Sequence, residues 1–155
     1  MLLKNSYRIA LVCFLALLVG CFSGGEKTVV GNTGYYFINL DGYQRFLVND
    51  ESEIVISPAI VDFVKQGDSY VFVRQIVKEL TCDSGTLRTE ITGNFEYWSL
   101  YKENEYKLAG PFQEVELQAR LVEKYLSKEG WLKLASKLKF IKENKAFFPS
   151  GNACD

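Results

Sequence analysis

The stretch Tyr70-Val71-Phe72-Val73-Arg74-Gln75-Ile76-Val77 is mostly apolar on both of its alternating faces. Successive side chains of a strand point to opposite sides, so a strand of this kind is central in a sheet and covered on both sides. Its neighbours read as further strands. Gly34 to Leu40 is rich in aromatic and β-branched residues, Asp41-Gly42 is a turn dipeptide, and Tyr43 to Val48 can return as a hairpin partner. Ile54-Val55-Ile56 is a short strand stopped by Pro58, and Ile60 to Lys65 is another. Leu87, Thr89 and Ile91 alternate with Arg88 and Glu90, Thr92-Gly93-Asn94 reads as a hairpin turn, and Phe95, Tyr97, Ser99 and Tyr101 then share one face, with Trp98 and Leu100 on the other. Tyr106 to Leu108 is a short last strand.

At Gly110-Pro111 the period changes. Pro suits the first helical position, and Gln113, Glu114 and Glu116 suit the positive end of a helix dipole. Phe112, Val115, Ala119, Val122 and Leu126 recur at helical spacing, with Lys124 and Lys128 at the far end and Gly130 as the expected cap. A second helix begins near Trp131, with Trp131, Leu134, Leu138 and Ile141 as its buried stripe. Strands first and helices last predict an α+β fold: an antiparallel β-sheet of about 6–8 strands followed by two C-terminal helices packed on one face.

The N-terminus carries a different message. Lys4 and Arg8 precede an unbroken apolar run from Ile9 to Val19. That is long enough for the apolar core of a signal peptide and too short to span a bilayer as a helix. The run closes Leu18-Val19-Gly20-Cys21, which resembles the bacterial lipobox: an aliphatic residue, a tolerant position, a small residue and a cysteine. The resemblance implies cleavage between Gly20 and Cys21, diacylation of the Cys21 sulfur and acylation of the new amine. Several acyl chains make anchoring effectively permanent, because each buried CH₂ contributes about 0.8 kcal/mol. The expected organisation is therefore a removed signal peptide over 1–20, a lipidated Cys21 with a flexible tether over 21–33, and a single domain over 34–155. The residue after Cys21 is Phe22 rather than Asp, which in enteric-type sorting leans towards the outer membrane where the host has one. The body resembles small bacterial lipoprotein families of unassigned function, through Gly34-Tyr35-Tyr36, Tyr97-Trp98 and Gly110-Pro111; this resemblance covers Gly34 to Leu126 and carries no catalytic residue.

Removing residues 1–20 leaves 135 of 155 residues, and losing Lys4 and Arg8 takes the formal charge from −1 to −3. A chain of this size can bury a core without metals or dense disulfides, and it lacks the basic excess that nucleic acid binding requires. Lys133, Lys137, Lys139, Lys142 and Lys145 gather near the end and read as a solvated helix face rather than a contact for anionic lipid. After Cys13 leaves with the signal and Cys21 is alkylated, Cys82 and Cys154 remain, and a pair in an exported protein reads as a disulfide.

Histidine is absent, which removes Ser-His-Asp, Cys-His and His-ligated metal chemistry. Two Ser-x-x-Lys matches exist. Ser99 and Lys102 fall on a strand at odd separation and so on opposite faces, while Ser136 and Lys139 share a solvated helix face. Glu51 with Glu53 and Glu103 with Glu105 flank turns, where solubilising charge is the simpler reading than a paired-carboxylate site. No phosphate loop, cofactor motif or EF-hand is present. The expectation is a lipid-anchored envelope protein without enzymatic chemistry, acting as a binding module: an inhibitor, an immunity protein or an assembly accessory. Its partners would be the membrane and an envelope protein or polymer, with no cofactor, metal or nucleic acid. The binding candidates are Tyr97 and Tyr101, aromatic residues suited to a half-wet surface, and Asp83 and Ser84 in the loop beside Cys82. The alternatives are a passive structural lipoprotein and a carboxylate-based envelope enzyme.

The cysteine reading has a direct check. Intact mass should rise by two hydrogens on reduction of the mature protein, and both Cys82 and Cys154 should resist alkylation until reductant is added. Two thiols that alkylate in the native protein remove the bridge.

Overall fold

The computed structural model describes residues 25–40 and 43–147. The expected signal peptide, with Gly20, Cys21 and the first part of the tether, lies outside them, as does Cys154. Among the described residues, eight strands and two helices follow in order: β1 Glu26–Val29, β2 Tyr35–Asn39, β3 Arg45–Asn49, β4 Ile54–Ile56, β5 Ile60–Gln66, β6 Ser69–Thr81, β7 Leu87–Lys102, β8 Tyr106–Phe112, α1 Glu114–Lys124 and α2 Lys128–Asn144. The α+β class stands, but the strands do not form one sheet. They form two antiparallel four-stranded meanders, sheet A (β1-β2-β3-β4) and sheet B (β5-β6-β7-β8).

The reason is the two-sided burial of β6. Tyr70 and Phe72 lie in one core with Val30, Leu47 and Ile56 of the sheet A segment. Val71 and Val73 lie in the other with Leu117 and Leu121 of α1 and Trp131, Leu134, Leu138 and Ile141 of α2. Sheet B is thus the middle layer, with sheet A on one side and the helices on the other. A single wide sheet with helices on one face would leave Tyr70 and Phe72 in water. Folding the chain back at Ser57-Pro58-Ala59 supplies the second cover from within the chain. The crossover is tied down by Arg74, whose Nε donates to the carbonyls of Ser57 and Pro58 at 2.9 and 2.8 Å. Arg45 of β3 donates to the Val61 carbonyl at 3.1 Å and joins the two sheets.

Irregularities aim the side chains. In β5, Ile60 faces sheet A while Val61 and Val64 both face the helices. A spacing of three on one face is possible because the register slips between Ile60 and Asp62, placing one extra residue in a bulge. A larger slip sits opposite Gln75–Val77, where Phe95 and Ile91 are the successive partners. The expected turn at Thr92-Gly93-Asn94 is this irregularity, and β7 runs through it without reversing. The Thr92 hydroxyl donates to the Ile76 carbonyl at 2.7 Å, holding the bulged strand to its neighbour.

Four further expectations are corrected. Glu26–Val29, assigned to the tether, is β1 and pairs with β2. Gly110-Pro111 does not open a helix; it lies in β8. Gly110 has φ +141°, and a Cβ there would stand 2.8 Å from the Tyr97 carbonyl oxygen and 2.9 Å from the Trp98 ring, so β8 crosses β7 at a distance only glycine permits. Helix α1 begins later, where the Gln113 amide donates to Glu116 Oε2 at 2.8 Å. Its fully buried residues are Leu117 and Leu121; of the expected stripe, Phe112, Val122 and Leu126 pack partly buried against the same core, while Val115 is 76% exposed and Ala119 is exposed too. Gly130 does not cap α1; it lies in the first turn of α2 and donates to the Ser127 N-cap hydroxyl at 3.1 Å. The expected stripe of α2, Trp131, Leu134, Leu138 and Ile141, is buried throughout.

Phe72 is fully buried at the sheet A interface and packs against Phe63 with ring centroids 5.4 Å apart. Phe72→Ala should lower unfolding free energy by about 3–5 kcal/mol, measured by urea denaturation. Leu132→Ala, on the exposed side of α2, should change it by less than about 0.5 kcal/mol.

Candidate functional site

The long β6–β7 hairpin outruns its neighbours. Strand β5 pairs with β6 only as far as Arg74, and β8 pairs with β7 only from Tyr97 onward. Beyond those points Val77–Thr81 pairs with Leu87–Ile91, and among the described residues no third strand flanks them, so the hairpin forms an arm that projects from the middle layer. Its tip is a tight loop. The Gly85 amide donates to the Cys82 carbonyl at 2.8 Å, and the Cys82 amide donates to the Thr86 carbonyl at 2.9 Å. This is a turn closed by one left-handed residue, and Gly85, at φ +75°, supplies it. The Ser84 hydroxyl donates to Thr86 Oγ1 at 3.0 Å. Asp83 and Ser84 are exposed at this tip, and Leu87 beside them is 67% exposed. Cys82 is disulfide-bonded; Cys154, the partner expected from the sequence, lies outside the described residues.

The base of the arm is held by Gln75, whose side chain is almost fully buried. Its Nε2 donates to the carbonyls of Thr92 at 2.6 Å and Phe147 at 3.1 Å, and its Oε1 accepts from the Phe147 amide at 2.9 Å. One buried amide therefore joins the arm's bulge to the segment that follows α2. As many residues separate Phe147 from Cys154 as separate Gln75 from Cys82, so chain length permits the expected bridge at the arm's tip.

The other two binding candidates lie elsewhere. Tyr97 and Tyr101 are 2% and 7% exposed, on the helix-facing side of sheet B, and are not brought together with Asp83 and Ser84. The Tyr101 hydroxyl accepts from Arg120 at 3.0 Å, and its ring lies 5.2 Å from that of Tyr125. Tyr97 belongs to a charged cluster at the rim of a cleft of about 410 Å³, lined also by Asn94, Phe95 and Gln113. Its hydroxyl donates to Glu114 Oε2 at 3.1 Å, and Lys142 donates to the same oxygen at 2.6 Å. The bond from Lys142 holds the Glu114 carboxyl below the usual carboxylate range. Burial, first of all, pushes the Tyr97 phenol up. Burial pulls the Lys142 ammonium down, but its bonds to Glu114 and Tyr97 outweigh that and hold it above its usual range. At neutral pH the set is a neutral phenol between a carboxylate and an ammonium. Each proton sits where its partners stabilise it, whereas general acid–base catalysis works best with a group poised near the operating pH. The cluster ties α1, α2 and β7 together.

Sequence reasoning named Tyr97 but neither Glu114 nor Lys142 as its partners, because the pair lies far apart in the chain and no local spacing joins them. Ser99 and Lys102 separate as expected: Ser99 is fully buried and Lys102 is exposed. The C-terminal lysines are largely ion-paired, Lys133 with Glu129, Lys139 with Glu143, Lys142 with Glu114 and Lys145 with Asp62. No group of three or more metal-ligating side chains gathers among the described residues, and no helix among them is long and apolar enough to cross a membrane.

Glu114, ionised in the fold and depressed in pKa, stabilises the protein above the usual carboxylate range, and that contribution is lost as pH falls through it. The side chain is 43% exposed, so screening keeps the effect small. Glu114→Gln should lower stability by about 0.5 kcal/mol near pH 7 and by nothing measurable near pH 3, read from urea midpoints.

No family model, curated protein or solved structure matches this chain.

Proposed function

We propose that this protein is a lipid-anchored protein of the bacterial envelope, without enzymatic chemistry, that binds an envelope protein or polymer through the tip of the β6–β7 arm. Anchoring rests on Leu18-Val19-Gly20-Cys21 at the end of the charged and apolar start. The arm carries the binding part of the reading. A two-stranded ribbon is marginal in water by itself; this one is reinforced by the Gln75 amide at its base and the disulfide at Cys82 near its tip. Bracing of this kind presents Asp83, Ser84 and Leu87 at low ordering cost, which favours recognition. The tightly paired Tyr97–Glu114–Lys142 cluster gives the competing carboxylate-enzyme reading no support.

The test is a crosslinked pull-down from host envelope. The acylated protein, a Cys21→Ser form and an Asp83→Ala/Leu87→Glu form should be compared in parallel. One partner enriched by the first two and reduced tenfold or more for the third is the expected result. Enrichment of lipid-dependent neighbours alone, indifferent to the arm, would turn the reading to a passive lipoprotein. Intact mass on the first form should show loss of residues 1–20 and acyl groups on Cys21.

A further inference from the structure

Sheet A should have one dry face and one wet face, as antiparallel sheets at a surface usually do. Its inner face packs on sheet B. Its outer face is apolar as well. Register places Val29, Tyr36, Val48 and Ile54 in one row across all four strands, and Lys27, Ile38 and Phe46 in a second. Val29 and Ile54 are each 58% exposed, and Val48 is buried yet belongs to neither core. Two charges meet these rows at Tyr36: the Lys27 ammonium lies 3.9 Å from the centre of its ring, and the Asp50 carboxylate lies beside its hydroxyl.

We propose that this outer face is the surface with which the anchored body rests on its own bilayer, as a zwitterionic phospholipid interface. The inference rests on the acylation of Cys21. Two observations choose the occupant. Cys21 precedes Glu26, the first residue of β1, by five positions, so the anchor lies within about 18 Å of this sheet. The helices lie beyond sheet B, farther by a sheet spacing of about 10 Å and then a helix, so sheet A is the layer the tether holds nearest the lipid. The chemistry agrees: tyrosine, phenylalanine and a lysine lying along an aromatic face suit the zone between headgroups and acyl chains. The β3–β4 connection at one end of the rows carries Asp50, Glu51 and Glu53, which disfavours an anionic surface.

Mature acylated protein in phosphatidylcholine vesicles decides the matter. A fluorophore is placed at Ile54→Cys or, on the exposed side of α2, at Leu132→Cys, with nitroxide-bearing lipid as quencher and intact mass as the check on Cys21. Expected is quenching at least threefold stronger at position 54 than at 132, reduced by Phe46→Glu while the protein stays on the vesicles. Equal quenching at the two positions in acylated protein overturns the face alone and leaves the anchor standing. Absence of acyl mass on Cys21 overturns the anchor and this inference together. Label-to-label transfer at position 54 that grows with protein density, without lipid quenching, overturns it in favour of a second copy of the chain.

Discussion

Burial on both faces of β6 is the constraint from which the rest of the architecture follows. Tyr70 and Phe72 need a cover on one side, Val71 and Val73 on the other. Each fully buried large side chain contributes roughly 1.5–3 kcal/mol relative to exposure, so leaving either face bare would remove a sizeable part of a small domain's stability. One cover comes from before β5 and the other from after β8. The middle layer is therefore built from the middle of the chain, with each flank of the sequence folding to its own side. Strand β7 repeats the logic: Trp98 and Leu100 face sheet A, and Tyr97 faces the helices.

Polar groups mark where this arrangement is stitched rather than merely packed. Arg74 holds the crossover, Arg45 joins the sheets, and Gln75 fastens the base of the arm to Phe147, after α2. These side chains bond chiefly to backbone carbonyls. A buried carbonyl needs a partner, and carbonyls freed where strands end or slip register take theirs from long side chains. The ion pairs contribute less, because most are exposed and screened. The Tyr97–Glu114–Lys142 cluster sits between these classes, half-buried and satisfied within itself.

The parts legible in the sequence were those whose pattern admitted one reading. Two-sided alternation identified β6 as central, and the run Trp131, Leu134, Leu138, Ile141 identified the face of α2. Where one set of residues serves two structures, the reading failed. Thr92-Gly93-Asn94 has the composition of a turn and is a bulge, since small polar residues suit both. Gly110-Pro111 looks like a helix opening, yet its glycine is needed for a close strand crossing. In α1, Val115 and Ala119 compete with Leu117 and Leu121 for the inward face, and only the position of sheet B chooses between them. The division into two sheets was hidden because hydrogen-bonding partners are not written in local alternation. Of the candidate site, the exposed Asp83-Ser84 loop was visible from its turn chemistry. The arm that carries it was not, because its length depends on where β5 and β8 stop.

The order of layers also sets an order of events during synthesis. The helix-facing side of sheet B, with Val61, Val64, Val71 and Val73, is complete long before Trp131, Leu134, Leu138 and Ile141 exist to cover it. The Gln75 amide waits longer still, for Phe147. An emerging chain thus carries a bare apolar sheet face until the second helix is made, and such faces aggregate or recruit chaperones. A polypeptide built this way gains little by folding early. The two helices are the part of the sequence on which the solubility of everything made before them depends.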